Sequence, residues 1–464
     1  MSDTDAMFPE ARTSTELRKQ ILDLVGRYVT AVEHEQPAFV PGRSVVRYAG
    51  RVHDASEVSN LVAASLDFWL TEGKYAARLE EGLARFLGVG FCRLVNSGSS
   101  ANLVAFSTLT SPRLGDRRVQ KGDEVITLAA GFPTTVAPII QYRAVPVFVD
   151  VDANTANVDV SQLEEALSPR TRAVMLAHTL GNPFDVDAVL SFCRRHDLWL
   201  VEDNCDALGS TYTTQLGGAP ETRLTGTFGH LATSSFYPPH HMTTGEGGAV
   251  YTSEEELDKI AASFRDWGRD CHCKSGKDNT CGLRFEHQLG ELPLGYDHKY
   301  TYSHFGYNLR MTDLQAAVGA AQVDKLPNFG AARRRNFAHL REELTRFSDV
   351  FDFPKATPGA DPSWFGFLMT VREDAPFDRA GIVNFLEANK IQTRMLFAGN
   401  LIRHPCFDEM RETKQGYRVV GDLPATDRLT ERAFWVGVYP GMTVQHLDYM
   451  VERVAEYCGM YGLS

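Results

Sequence analysis

The 464-residue sequence contains no apolar run of membrane-spanning length, so a helical membrane protein is not expected. It has no cluster of lysine and arginine, and its formal net charge is −12. That balance argues against a nucleic-acid-binding surface and leaves any phosphate-bearing ligand to a local site. The first twenty residues carry no apolar signal core, which makes the cytoplasm the expected location. Internal repeats and low-complexity tracts are absent. Cysteine is sparse, at eight residues, and Cys92, Cys193, Cys406 and Cys458 stand singly. These read as free thiols, and a disulfide framework is not expected in a large chain without a secretion signal.

What remains is ordinary globular composition, 43% hydrophobic and 23% charged, in a chain long enough for two domains. A patterned helix is predicted over 76–86. Short apolar runs at 124–128, 145–149, 173–177 and 198–202 alternate with helical stretches, the pattern of βα units on a mainly parallel sheet. Near Pro327 the pattern changes to a long basic helix, AARRRNFAHLREELTRF, followed by mixed α/β segments. The division predicted is an N-terminal arm and large cofactor domain over 1–330, and a smaller C-terminal α/β domain over 331–464.

Several segments suit an anionic, ring-bearing cofactor. Asn96-Ser97-Gly98-Ser99-Ser100-Ala101 lies where a strand-like stretch meets a helix, and a helix N-terminus with hydroxyls binds phosphate. A serine N-cap with a turn glycine explains it equally well. Asp203 ends a strand-like run, where a ligand-facing carboxylate belongs, although a helix N-cap is the alternative. Phe132 is either a ring cover or core. Cys271 and Cys273, then Cys281, with Cys205 upstream, could supply four thiolates to zinc or to a [2Fe–2S] cluster. His272 reads as a solvated spacer between them.

Taken in order, SGSSAN, AAGFPTT, EDNCDALGS, SFYPPHHMTTGEGG and GYNLRMTDLQAAVGAAQ resemble the DegT/DnrJ/EryC1 family of sugar aminotransferases and dehydratases. The resemblance covers nearly the whole chain. It implies the aspartate aminotransferase-like fold of pyridoxal phosphate (PLP) enzymes, fold type I. It also assigns roles: Gly98, Ser99 and Ser235 at the cofactor phosphate, Phe132 on the pyridine ring, Asp203 at the ring nitrogen, and Asp206 near the ring hydroxyl. Asn308 would come from the second subunit of a homodimer.

On the same resemblance His240 occupies the position of the lysine that normally binds PLP covalently. Lysine is a nucleophile toward an aldehyde, whereas imidazole only shuttles a proton near neutral pH. The His240-His241 pair and Cys-x-Cys-x7-Cys, with FRDWGRDCHC, YDHKYTYSH, TRMLFAGN and FWVGVYPG, resemble the 3-dehydrase subgroup acting on nucleotide-linked 4-keto-6-deoxyhexoses. The stretch between Cys205 and His240 is longer than the polysaccharide-type members imply.

The chemistry so implied is C3 deoxygenation of a CDP- or dTDP-linked 4-keto-6-deoxyhexose with pyridoxamine phosphate (PMP). His240 would take the proton from the cofactor's C4′ carbon and the C3 hydroxyl would leave. A [2Fe–2S] cluster on Cys205, Cys271, Cys273 and Cys281 would pass electrons singly from a flavin iron–sulfur reductase, ferredoxin or flavodoxin. Arg394 and Arg403 are candidates for sugar or diphosphate contacts, with exposed arginine the plain alternative. The rival readings are a sugar aminotransferase and a catalytically inactive relative of this fold.

Overall fold

The structure is a computed structural model that describes residues 13–271, 273, 279, 280 and 282–463. Its centre is an eight-stranded sheet built from β1 (Phe91–Val95), β2 (Glu124–Leu128), β3 (Val145–Val149), β4 (Thr171–Ala177), β5 (Trp199–Asp203), β6 (Leu231–Ser235), β7 (Gly248–Thr252) and β8 (Arg418–Val419). The spatial order is β1-β7-β6-β5-β4-β2-β3-β8. Only β7 runs against its neighbours, pairing antiparallel with β1 and β6; all other pairs are parallel.

The central strands are buried on both faces, as a parallel sheet covered by helices requires. Every residue of β2 and of β5 is buried, which explains why apolar residues stand side by side there, as in Val125-Ile126 and Trp199-Leu200-Val201, instead of alternating. Fully burying a Val or Leu side chain contributes about 1.5–3 kcal/mol, so these runs fix the sheet strongly. The helix α1 (Gly98–Leu109) packs Val104, Ala105, Phe106 and Leu109 into the core shared with Val125, Val201 and Val250.

A long helix, α2 (Leu326–Leu344), links the two halves of the chain, and the expected boundary at 330 falls in its second turn. Beyond it a four-stranded antiparallel sheet orders Phe351–Asp352, Gly366–Val371, Ala433–Gly437 and Thr393–Arg394. Its core joins α2 to the terminal helix α3 (Val444–Gly459) through Phe337, Leu340, Phe367, Phe434 and Val451. The C-terminal part is not closed on itself, because β8 leaves it to extend the large sheet beside β3. No described helix is long and apolar enough to cross a membrane.

Candidate active site

Because β1, β2, β4, β5 and β6 point the same way, their carboxyl ends open on one side of the sheet. The residues that follow them line a single cavity of about 640 Å³: Ser97 to Ser99 after β1, Phe132 after β2, Thr179 after β4, Asp203, Cys205 and Asp206 around the end of β5, and Ser235 and Tyr237 at the end of β6. A crevice at the carboxyl edge of a parallel sheet is where such folds bind ligands.

The anion cradle begins at Ser97, whose hydroxyl caps α1 by accepting from Ser100 N at 3.1 Å. This leaves the first turn of a 12-residue helix facing the cavity beside Ser235. Gly98 is required by proximity: a Cβ there would fall 2.4 Å from Ser235 Cβ and 2.7 Å from its Oγ. Ser97 is therefore an N-cap, and the helix start that it caps lines the cavity, where an anion-binding role for SGSSAN is compatible with the geometry.

Asp203 sits on the cavity floor and is 5% exposed. Its Oδ2 accepts from Asn102 Nδ2 at 2.8 Å and Thr135 Oγ1 at 2.7 Å, and its Oδ1 from Cys205 N at 3.2 Å. Thr233 Oγ1 donates to Asn102 Oδ1 at 2.7 Å, which turns the amide nitrogen toward the carboxylate. The preceding residue, Glu202, points to the opposite face. It accepts from Gly226 N and Phe228 N at 2.8 Å, Gly229 N at 2.6 Å, and pairs with His178 Nε2 at 2.9 Å. Strand alternation thus separates a structural carboxylate from one that faces the cavity. Phe132 is not core. It is 54% exposed at the cavity wall, with its ring edge-on to Phe397 at 6.3 Å.

His240 lies in the same cavity, its ring 5.2 Å from that of Phe365 and its Nδ1 3.6 Å from Asp206 Oδ1. Burial, reinforced by the Arg333 cation and opposed by Asp203, pushes the imidazole down to about 4. Burial and the neighbouring Asp203 push the Asp206 carboxyl up to about 8. Near neutral pH the pair is therefore an unprotonated imidazole facing a protonated acid. No lysine is among the residues lining this cavity.

The expected residues are thus brought together at Gly98, Ser99, Phe132, Asp203, Asp206, Ser235 and His240, with Cys205 and Arg394 also on the wall. Arg394 lies over the Tyr48 ring, 3.8 Å from its centroid, at the mouth formed with the N-terminal arm. Arg403 does not line the cavity; Asp427 takes its guanidinium, and Glu431 lies 3.7 Å away. Asn308 is also outside the cavity of its own chain, in a bridge with Asp266. His241 is buried, and its Nε2 meets Ser363 O at 2.6 Å.

The four-cysteine grouping is not assembled by the described residues. Cys271 and Cys273 line a second cavity of about 500 Å³ with Glu72, Arg93, Arg265 and Arg310, whereas Cys205 lines the first. Cys205 is held there by its place directly after β5, between Asp203 and Asp206, and burial with the Asp203 charge raises its thiol well above the ordinary range. Among the described residues no three His, Cys, Asp or Glu side chains are grouped as a metal site requires. Cys281 and His272 lie outside the described residues.

Sequence reasoning missed Asn102, Thr135, Tyr48, Tyr237 and Phe365. Asn102 and Thr135 stood inside quoted motifs, one helical turn past Gly98 and three residues past Phe132. Tyr48 and Phe365 come from distant segments and carry no local signal.

Comparison with known proteins agrees with this geometry. The profile described as the DegT/DnrJ/EryC1/StrS aminotransferase family matches residues 52–455. The chain is 51% identical over 448 residues to lipopolysaccharide biosynthesis protein RfbH of Salmonella typhimurium, covering 97% of this chain and 99% of that protein. It is 53% identical over 425 residues to dTDP-4-dehydro-2,6-dideoxy-D-glucose 3-dehydratase of Saccharopolyspora spinosa, covering 92% and 89%. Among solved structures, GDP-4-keto-6-deoxy-D-mannose-3-dehydratase of E. coli with bound hydrated PLP superposes with a TM-score of 0.76 at 27% identity, covering 88% of this chain and 98% of that one.

Proposed function

The chain belongs to the DegT/DnrJ/EryC1/StrS aminotransferase family, and within it we propose a PMP-dependent 3-dehydratase of a nucleotide-linked 4-keto-6-deoxyhexose. The observation that carries this reading is His240 beside Asp203, Asp206 and Ser235 in a cavity whose lining includes no lysine. A transaminase alternates between two cofactor forms and relies on a lysine at that place. An imidazole there suits an amine cofactor, which needs a base and no covalent anchor. The names of the relatives, two of them 3-dehydratases, support the same substrate class.

The residues fit the cofactor. The first turn of α1 with Ser99 and Ser235 would hold the phosphate, and Phe132 would cover the ring. Asp203, with three donors already placed, would pair with the ring nitrogen. When bound, PMP supplies an amine that joins the sugar ketone and a ring that accepts electron density. His240, unprotonated in its buried setting, takes the proton at C4′. Asp206, protonated beside it, is placed to donate toward the departing C3 oxygen or the ring hydroxyl. Arg394, propped by Tyr48 at the mouth, meets the nucleotide diphosphate. Asn308, which does not line the cavity of its own chain, would reach that of a second copy in a homodimer.

We further propose that the loop of Cys271, Cys273 and Cys281 carries the iron of a [2Fe–2S] centre fed by an external one-electron donor. Its support is the Cys-x-Cys-x7-Cys spacing and the common cavity of Cys271 and Cys273. The described residues do not gather the four thiolates, so no step is derived through that centre.

The test is product identity. PMP-loaded protein given CDP- or dTDP-linked 4-keto-6-deoxyhexoses, with and without an electron donor, should release a 3-deoxy-4-keto sugar. A 4-amino sugar as the main product would replace this reading with the aminotransferase.

A further inference from the structure

We infer that Arg333 is a positioning residue, a buried clamp that ties the His240 loop to the Trp364–Phe365 segment and thereby sets where the imidazole stands in the cavity. Arg333 projects from α2, far from the cofactor cradle in sequence, and is 1% exposed. Its Nη1 donates to Trp364 O at 3.2 Å and Phe365 O at 3.3 Å. Its Nη2 donates to Pro239 O at 3.2 Å and His240 O at 3.0 Å. One guanidinium therefore joins two consecutive carbonyls of the loop to two consecutive carbonyls of the C-terminal half. Among the described residues no carboxylate forms a direct ion pair with it, and Asp206 is the carboxylate whose charge acts on it through space.

A buried cation without a directly paired anion is costly, so the carbonyls around it must solvate it. Four carbonyls converging on one point need a planar donor with several N–H groups, which arginine has and lysine lacks. The consequence lies one bond away. Fixing His240 O fixes the backbone from which the imidazole hangs, and fixing Phe365 O sets the ring that lies 5.2 Å from it. His241 adds a second tie in the same direction through Ser363 O. The loop's other bonds gather at its two ends, with Phe236 N to Gly247 O at 2.8 Å, Thr243 Oγ1 and Thr244 N to Phe236 O at 3.0 Å and Thr243 N to Gln322 Oε1 at 3.3 Å, while His240 N to Tyr237 O at 3.0 Å closes the turn before the imidazole.

The clamp is independent of the reaction, but its effect on turnover rests on the proposed function. The first test uses the full-length protein without substrate. In Arg333→Lys, which keeps the charge, amide hydrogens of 236–244 and 363–366 should exchange ~10-fold faster than in the native protein, while β2 and β5 stay unchanged. Unchanged exchange in both segments overturns the clamp. The second test uses the PMP-loaded enzyme. Arg333→Ala should bind PMP within about twofold of the native protein, because no phosphate or ring contact is lost, yet lose ~10²-fold in kcat with KM preserved. Added guanidinium should restore kcat, but not in a chain that also carries His240→Asn. Loss of PMP affinity in step with kcat, or rescue without His240, overturns the positioning role. A native enzyme inactive on every 4-keto sugar defeats the functional reading alone, and the exchange test still decides the clamp.

Discussion

His240 Nδ1 stands 3.6 Å from Asp206 Oδ1, and the two groups meet as neutral partners instead of as an ion pair. Burial drives both toward their uncharged forms, the imidazole down to about 4 and the carboxyl up to about 8. A base and an acid with separated proton affinities, side by side at neutral pH, is the arrangement that proton transfer requires.

Asp206 makes stability depend on pH with a definite sign. Its folded value is raised above the ordinary carboxyl value, so between that value and about 8 the folded chain holds a proton that the unfolded chain has lost. Stability contributed by this group therefore falls as pH rises through that window. Asp206→Asn should remove this group's part of the slope and stabilise the cofactor-free protein at pH 8 by about 1–3 kcal/mol. Thermal melts at pH 5 and pH 8 check this; an unchanged slope would contradict it.

Asn102→Ala removes a donor from Asp203 and leaves Thr233 without its acceptor. A cost of about 1–3 kcal/mol in stability is expected, with weaker PMP binding. Asn102→Asp should be worse, since it sets a second carboxyl against Asp203. Cofactor titration followed by absorbance gives both effects.

Gly98→Ala places a methyl group 2.4 Å from Ser235 Cβ, so the start of α1 must move away from β6. Overpacking of this kind costs about 1–3 kcal/mol. The greater effect should be on PMP affinity, because the displaced backbone is the proposed phosphate cradle. Equal affinity in the two proteins would remove Gly98 from that role.

The cysteine loop has a test independent of turnover. Protein purified without oxygen should contain iron and sulfide, and Cys271→Ser or Cys273→Ser should each lose them while still binding PMP, since serine is not deprotonated at neutral pH. Stoichiometric zinc without iron would contradict the proposal.

Much of this was legible in the sequence. The buried strands β2 and β5 announced themselves as short apolar runs, and their ends supplied Phe132 and Asp203. The loop after β1 was readable because one short segment carries both the cap and the glycine. Arg403 misled, because an arginine near a cavity-facing segment looks the same whether it faces a ligand or, as here, Asp427. Cys205, two residues past Asp203, lines the first cavity as that spacing implies, whereas Cys271 and Cys273 line the second. Arg333 and Phe365 reach His240 only through tertiary packing of α2 and the small sheet, and local pattern carries no trace of it.

The central claim is that His240 carries the proton in a cofactor site without lysine. It is tested most directly by deuterium exchange at the C4′ carbon of bound PMP, measured in deuterated solvent with a nucleotide-linked 4-keto-6-deoxyhexose present. The native protein should exchange that hydrogen and form the 3-deoxy product. His240→Asn should bind PMP with similar affinity and lose ~10²–10⁴-fold in exchange rate. Exchange in His240→Asn at the native rate would contradict the account.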